Sequence, residues 1–295
     1  MTEARTAAEL IEEGEARLRR SPAIDHWPSD RERTEAEALL AFVLRLDPER
    51  EVPEDGWVVE AARRRRYRDL VRRRAGGEPM PHILGWMTFR GLRLRVRPGA
   101  FVPRPSTEFL AFQAVRRLQR RRRPVAVDLA TGMGPVALAV ASEVRKADVH
   151  GTDLSEDAIR LARDNARRLG RRNVAFHTGD LLGALPTRLR GSVDVITLHP
   201  PYVPKAEVRD LPLEVRGFEP EATLTDFSVH GLGLVERAAA EGVEWLRRGG
   251  WLLIEVSPDR ARAVRSLLVR GGYRDVRSTR GWPQVTRVVV GRSRG

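Results

Sequence analysis

The chain has 295 residues, a net charge of +13 and no cysteine. The lack of cysteine excludes a disulfide framework, a thiolate nucleophile and Cys-based zinc or iron–sulfur sites. No apolar run approaches the roughly 18 residues of a membrane span, so we expect a soluble, cytoplasmic protein of one or two domains.

The basic charge has two interpretations, a nucleic-acid surface or a solvated face. Of the 53 basic residues, only Lys146 and Lys205 are lysines, an imbalance that coding bias explains as well as selection for guanidinium groups. The densest runs, 63–74 and 116–123, resemble polar helix faces and lack the interleaved aromatics of a stacking platform for single strands. A solvated face is therefore favoured, and a nucleic-acid partner stays an open alternative.

The first part of the chain has helical periodicity. Between residues 2 and 74 apolar residues recur at steps of three and four, as at Leu39, Leu40 and Val43. Prolines at positions 22, 28, 48 and 53 divide the pattern into short helices. This predicts a helical N-terminal domain over residues 1–80.

The texture changes over residues 81–105, where Gly and Pro bracket short segments and "LRLRV" alternates with period two. This predicts a β-hairpin linker. A helix is expected to start near Ser106, and a third region, 106–295, then alternates strands and helices. The alternation predicts a Rossmann-like α/β domain with a mostly parallel sheet covered by helices on both faces.

Individual elements of that region have clear signals. Ser155 is the predicted N-cap of the helix "SEDAIRLARDNARRLG", which Gly170 ends. The predicted strands are "VAVDLA" at 125–130, "DVHGTDL" at 148–154, "NVAFHTGDL" at 173–181, "VDVITL" at 193–198, "GWLLIEV" at 250–256 and "TRVVVGR" at 286–292.

Ligands bind at the carboxyl ends of the strands in such sheets, and three acids fall there. Asp128 ends the first strand and precedes "ATGMG", whose glycines let the backbone approach a ligand. Asp153 ends the second strand, where a carboxylate can accept hydrogen bonds from ribose hydroxyls, and Asp180 ends the third, where it can face an adenine edge.

The glycine loop also constrains the ligand. "DLATGMG" lacks the G-x-G-x-x-G spacing of dinucleotide sites, and the chain contains no G-x-x-x-x-G-K-[ST] loop for nucleoside triphosphates. A ligand with adenosine but without phosphates fits better, which favours S-adenosylmethionine. No metal-ligand spacing is evident, and no metal is predicted.

The fourth strand is followed by His199-Pro200-Pro201-Tyr202. Here the chain resembles the release factor glutamine methyltransferases, the HemK or PrmC family, whose usual motif is Asn-Pro-Pro-Tyr. The family's Asp-Leu-Gly-Thr-Gly-Ser-Gly is similar to residues 128–134, and further similarity covers 77–92, 101–108, 151–170, 179–182 and 211–224. The resemblance runs from about Gly77 to the C-terminus.

The resemblance implies a class I S-adenosylmethionine-dependent methyltransferase with a small helical domain that helps to hold the substrate. Its acceptor loop would bind the glutamine of a release factor's Gly-Gly-Gln loop, with His199, Pro200 and Tyr202 as catalytic residues and Pro201 also lining the acceptor. Glu219 in "FEPEATL" is a further candidate to line the acceptor, and a surface carboxylate is the alternative. The expected cofactor-binding residues are Asp128, Ala130, Thr131, Gly132, Met133, Gly134, Asp153, Leu154, Asp180, Leu181 and His199.

The sequence departs from the family pattern near the expected site. His199 replaces the Asn that reads the substrate amide, and an imidazole cannot both accept and donate in one plane as a carboxamide does. A neutral His can accept one hydrogen bond or act as a base, whereas a protonated one would repel a sulfonium. Ser106 replaces an acid, Ala130 replaces the first loop glycine, and His230 lies near an Asp position.

These clustered departures favour a small-molecule acceptor, such as an amino acid, guanidino or amide nitrogen. Methylation of the release-factor glutamine is the alternative. A nucleic-acid amino-methyltransferase and a non-catalytic protein that retains the fold are further alternatives. The oligomeric state is not predicted.

Overall fold

The computed structural model describes residues 5–280 and 287–294. The helices are α1 (Ala7–Arg19), α2 (Arg31–Leu44), α3 (Ala61–Ala75), α4 (Met80–Leu84), α5 (Thr107–Leu118), α6 (Pro135–Glu143), α7 (Glu156–Arg168), α8 (Leu213–Arg216), α9 (Gly233–Trp245) and α10 (Ala261–Arg270). The strands are β1 (Arg5–Thr6), β2 (Val58–Val59), β3 (Trp86–Phe89), β4 (Leu92–Arg95), β5 (Val125–Leu129), β6 (Asp148–Asp153), β7 (Val174–Thr178), β8 (Val193–Leu198), β9 (Leu246–Val256), β10 (Arg274–Arg280) and β11 (Arg287–Arg292).

The chain divides into two compact units that are not contiguous in sequence. The first, here the helical unit, comprises residues 1–85, 97–99 and 209–219; the second, the sheet unit, comprises 86–96, 100–208 and 220–295. Strands β3 and β4 form an antiparallel hairpin within the range 81–105, and this hairpin groups with the sheet unit. Three consecutive ranges were expected from the sequence, whereas the chain leaves the sheet unit after Val208 and re-enters it at Pro220.

The helical unit is built around α1, α2 and α3. Thr6 and Glu9 form a capping box at the start of α1, with Glu9 Oε2 accepting from the Thr6 amide at 3.0 Å. Leu10, Leu39 and Tyr67 are fully buried in the shared core. The basic run on α3 is therefore more than a polar face, because this helix also contributes to the core.

Arg74 shows that not all arginines of the basic run on α3 face solvent. Its side chain is 0% exposed and pairs with Glu35 and Glu214, each at 2.7 Å. Glu214 lies on α8, in the returning segment 209–219. Burying a cation requires this pairing, because an unpaired charge in the interior is costly.

The sheet unit contains a seven-stranded sheet in the order β10-β11-β9-β8-β5-β6-β7. The strands β9-β8-β5-β6-β7 are parallel, and β10 and β11 are antiparallel to their neighbours. The mostly parallel Rossmann-like sheet is thus confirmed. The chain moves outward from β5 in both directions, so the switch point of the sheet lies at β5 and β8.

Helices cover both faces of this sheet. Successive strand residues point to opposite faces, and on β8 Val195 belongs to a cluster with α5, α6 and α7, whereas Ile196 belongs to one with α9 and α10. Ser155 caps α7 as predicted, accepting from the Ala158 amide at 3.2 Å, and Gly170 adopts φ +64° at the other end. In the part of the chain that the structure describes, no helix is both long and apolar enough to span a bilayer.

Candidate functional site

Asp128 anchors the centre of the sheet's carboxyl edge. Its side chain is buried, and its carboxylate accepts hydrogen bonds from Thr131 Oγ1 at 2.6 Å and Thr197 Oγ1 at 2.7 Å. Burial raises the pKa of Asp128 to about 6, against the opposing effect of these two hydroxyls. Asp128 therefore ties the loop after β5 to β8, the strand that precedes His199.

The loop after β5 is held in left-handed conformations. Ala130, Gly132 and Gly134 have φ of +50°, +56° and +85°. A side chain at Gly134 would lie 2.8 Å from Phe176, whereas one at Gly132 would meet no atom within 4 Å. Gly134 is thus needed for packing, and Gly132 borders open space into which a ligand can extend.

Asp153 joins this loop to the end of β6. One carboxylate oxygen accepts from the Gly132 amide at 2.8 Å and the other from the Ser155 amide at 2.9 Å. Burial raises the pKa of Asp153, and the two amides oppose that rise. Each oxygen keeps a further lone pair, so the residue can also accept from the hydroxyls of a ribose. The hydrogen-bond acceptors of Asp153 and the open space at Gly132 fit an adenosine.

The remaining predicted cofactor residues are arranged differently. The side chains of Met133 and Leu181 are buried in the apolar clusters, so that only their backbones can contact a ligand. Leu154 is 71% exposed. Asp180 forms an ion pair with Arg237 at 2.5 Å, a partner that the sequence did not suggest.

His199 directly follows β8, and aromatic rings surround it. Its ring stacks on Tyr202 with centroids 5.9 Å apart and meets the edge of Phe101 at 5.6 Å. Its Nδ1 lies 3.2 Å from Thr107 Oγ1. Burial lowers the pKa of His199, with Glu255 opposing and Arg104 adding to the effect, so the imidazole is neutral at pH 7.

A carboxylate that sequence reasoning missed lies beside this histidine. Glu255, the penultimate residue of β9, is 0% exposed and has Oε2 at 3.8 Å from His199 Nδ1. Ser106 Oγ donates to its Oε1 at 3.0 Å. The available signal was a charged residue at the carboxyl end of the apolar strand "GWLLIEV", the rule that identified Asp128 and Asp153.

A second segment supports residues 199–204. Tyr202 pairs with Thr225 in an isolated β-bridge, and the Val203 amide donates to the Leu224 carbonyl at 3.0 Å. Gly231, at φ +63°, packs against the backbone of Tyr202 so closely that a Cβ would lie 2.8 Å from its carbonyl carbon. The region "DFSVHGLGL" is thus a structural support for the loop.

Two predicted positions in these segments have other surroundings. His230 is exposed, and it is Asp226 that accepts from the Leu234 amide at 2.8 Å near the start of α9. Glu219, predicted to line the acceptor, belongs to the helical unit and is buried there, with its amide donating to the Val215 carbonyl at 2.9 Å. Pro200 is buried and Pro201 half-buried within the loop.

The chain is similar to known proteins along most of its length. The family model described as PrmC N-terminal domain matches residues 9–85, and one described as Methyltransferase domain matches 123–230. A release factor glutamine methyltransferase of Bordetella pertussis is 37% identical over 259 residues, which cover 88% of this chain and 94% of the relative. The chain belongs to the release factor glutamine methyltransferase family.

Further comparisons agree with this membership. A release factor glutamine methyltransferase of Streptomyces coelicolor is 39% identical, covering 76% of this chain and 77% of its own length. Among solved structures, a Pyrococcus furiosus methyltransferase has a TM-score of 0.51 at 18% identity, covering 69% of this chain and 89% of that one. A Thermus thermophilus 16S rRNA N2 G1207 methyltransferase has a TM-score of 0.52 at 18% identity, covering 71% and 50%. At that identity the structures show the fold alone.

As a member of the release factor glutamine methyltransferase family, the chain is an S-adenosylmethionine-dependent methyltransferase. The hypothesis of a non-catalytic protein is therefore set aside.

Proposed function

We propose that this enzyme methylates the side-chain amide nitrogen of a glutamine in a peptide release factor. The observation that carries the proposal is the extent of the similarity to the Bordetella relative, whose name states this activity. It covers 94% of that protein, and the PrmC N-terminal domain model matches residues 9–85. The chain therefore shares both the methyltransferase domain and the domain expected to hold the substrate.

The residues at the end of β5 and β6 would hold the cofactor. We assign the loop from Ala130 to Gly134 to its adenosine side and the free lone pairs of Asp153 to its ribose hydroxyls. S-adenosylmethionine, when bound, supplies the methyl group. Asp128 acts indirectly, because its bonds to Thr131 and Thr197 fix the cofactor loop relative to β8.

The residues after β8 would orient the acceptor. An amide nitrogen is a weak nucleophile, so holding it in the reactive geometry accounts for much of the catalysis. The Pro200 carbonyl and a neutral His199 can accept its N–H groups, and the ring of Tyr202, stacked on His199, provides a flat apolar contact. Burial raises the pKa of Tyr202 to about 12, so its hydroxyl stays protonated at pH 7.

The small-molecule acceptor favoured by the sequence alone gains no support from the relatives, and the structure explains two of the departures locally. Ala130 adopts the left-handed conformation that a glycine would adopt there, and Ser106 serves as a hydrogen-bond donor to Glu255. We therefore prefer the glutamine acceptor.

The proposal predicts that purified enzyme transfers label from methyl-labelled S-adenosylmethionine to a release factor. The matched control is the same release factor with the glutamine of its Gly-Gly-Gln loop replaced by alanine, which should remain unlabelled. Amino acids, guanidino compounds and RNA are offered in parallel. Labelling of one of these with none on the release factor would refute the proposed acceptor.

A further inference from the structure

Glu255 has an unused hydrogen-bond acceptor. Its side chain is fully buried, and Ser106 satisfies Oε1, yet Oε2 has no hydrogen-bond partner within residues 5–280 and 287–294. A buried carboxylate oxygen without a donor is costly and rare in native proteins. His199 Nδ1 lies 3.8 Å from this oxygen.

This separation determines which ring nitrogen of His199 carries the proton. If Nδ1 were unprotonated, its lone pair would face the buried carboxylate, and the two would repel each other in a site of low dielectric. A proton on Nδ1 makes the same approach attractive. Thr107 Oγ1, at 3.2 Å from Nδ1, is compatible because a hydroxyl can accept as well as donate.

We infer that Glu255 is a positioning residue that fixes neutral His199 as the Nδ1–H tautomer and so leaves Nε2 able to accept a hydrogen bond. The inference rests on the proposed function only in naming the donor to Nε2, the N–H of the acceptor amide. In this tautomer the imidazole reproduces the accepting half of a carboxamide. The opposite tautomer would present an N–H at Nε2. The N–H groups of the substrate amide could not donate to it, and the amide nitrogen does not accept hydrogen bonds.

The same carboxylate links two positions at which the sequence departs from the family motif. Ser106 contacts one oxygen of Glu255 and His199 approaches the other, although Ser106 lies 93 positions from His199 and 149 from Glu255 in the sequence. A serine donates a hydrogen bond without adding charge, and it leaves the negative charge of Glu255 to act on His199. The two departures are therefore parts of one local arrangement.

The charged and titratable groups around the ring come from three segments. Glu255 on β9 favours the protonated imidazole, Arg104 before α5 disfavours it, and Tyr202 of the same loop stacks on the ring. Thr107 on α5 is neutral. Removal of the Glu255 charge should therefore lower the pKa of His199, and a residue that merely filled space would have no such effect.

The decisive experiment is an NMR measurement on the full chain with ¹⁵N-labelled histidine, in which ring correlations report the protonated nitrogen of each imidazole. The chain has six histidines, and His199→Gln identifies the signal of residue 199. We expect Nδ1–H in the unmodified protein. A proton on Nε2 would overturn the inference, and the tautomer is measured in the unmodified protein without any methyl acceptor.

The variant series then assigns the effect to Glu255. In Glu255→Gln we expect a lower His199 pKa and a loss of the Nδ1–H preference. Glu255→Asp keeps the negative charge, so it should retain part of the tautomer preference and lower the His199 pKa less. Asp259→Asn is the matched control, since this carboxylate is 66% exposed and pairs with Arg260. A Glu255→Gln protein that binds S-adenosylmethionine normally and has an unchanged His199 tautomer and pKa would contradict the inference.

Methylation of the release factor provides the third readout. In Glu255→Gln we expect kcat/KM on the plateau of its pH profile to fall by roughly tenfold, the equivalent of one lost hydrogen bond. The acid limb of that profile should move to lower pH, because the His199 pKa is lower. If the unmodified enzyme labels no release factor while NMR shows Nδ1–H, the proposed acceptor fails and the tautomer assignment stands. If labelling occurs and the acid limb does not move, the positioning role fails.

Discussion

At the scale of single residues, Asp128 is a charged group that the fold holds at a cost. Its pKa of about 6 exceeds the value of 3.8 that applies without burial, so at pH 7 the carboxylate is ionised inside the protein. The hydroxyls of Thr131 and Thr197 reduce this cost without removing it. The bonds they form hold the loop after β5 against β8, which is a functional gain obtained at the expense of stability.

The substitution Asp128→Asn should stabilise the protein at pH 8 by about 1–3 kcal/mol and have little effect at pH 4. The folded pKa is raised, so the native protein loses stability as pH rises from about 4 through about 6, and the variant lacks that loss. Urea unfolding at both pH values measures the difference. Asp180→Asn, at an exposed carboxylate, is the control. Equal changes at the two pH values would contradict the assignment.

At the scale of elements, the proposed acceptor loop, residues 199–204, depends on the segment from Leu224 to Gly231. The bridge between Tyr202 and Thr225 fixes one side, and the close approach of Gly231 to the Tyr202 backbone fixes the other. The position of the ring stacked on His199 is therefore set by residues that need not touch any substrate.

Gly231→Ala should lower methyl transfer by tenfold or more and leave the affinity for S-adenosylmethionine within about threefold, because the added Cβ displaces Tyr202 and spares the loop after β5. Calorimetry and the labelling assay measure the two quantities. Gly272→Ala is the matched control: its φ of +82° imposes the same left-handed strain, about 1 kcal/mol, but its Cβ meets no atom within 4 Å. Similar activity losses in both variants would exclude the loop displacement.

Sequence patterns predicted the elements that carry strong periodicity or apolar runs, among them β5, β8 and α7. They did not indicate β10, because "RDVRSTR" forms an edge strand with mostly polar and partly exposed residues. In the site, Asp128, Asp153 and His199 follow from their places at strand ends. The pairing of Ser106 with Glu255 spans 149 residues, and no local pattern specifies such a contact.

At the scale of the whole molecule, the helical unit contains a segment, residues 209–219, that is far in sequence from its N-terminal part. In this segment Glu214 lies 2.9 Å from Arg31 and 2.7 Å from Arg74. Burial would raise the pKa of Glu214, but the two guanidinium groups outweigh that effect and lower it. This ion pair cluster therefore contributes stability above about pH 4.5, which is lost as pH falls through the lowered pKa.

Arg74→Gln should destabilise the protein by about 3 kcal/mol, because it leaves Glu35 and Glu214 close together with one shared cation fewer. The control lies in the same helix: Arg72 is 67% exposed, and Arg72→Gln should change stability by less than about 0.5 kcal/mol. Thermal unfolding of the full chain near neutral pH compares the two variants. Equal unfolding midpoints for the two variants would show that the buried ion pairs of Arg74 stabilise the protein no more than the exposed pair of Arg72.

The return of residues 209–219 to the helical unit also limits how its gene can be recombined with homologous genes. A gene cut after the codon of Gly85 would leave the proposed acceptor loop, residues 199–204, in the second piece together with residues 209–219. Glu214 would then lack Arg31 and Arg74 as its partners. An exchange of the helical unit between homologous genes would have to carry two separate pieces of coding sequence. A chimaera made with one crossover should therefore keep an intact helical unit only when the codons for residues 1–85 and 209–219 come from the same parent.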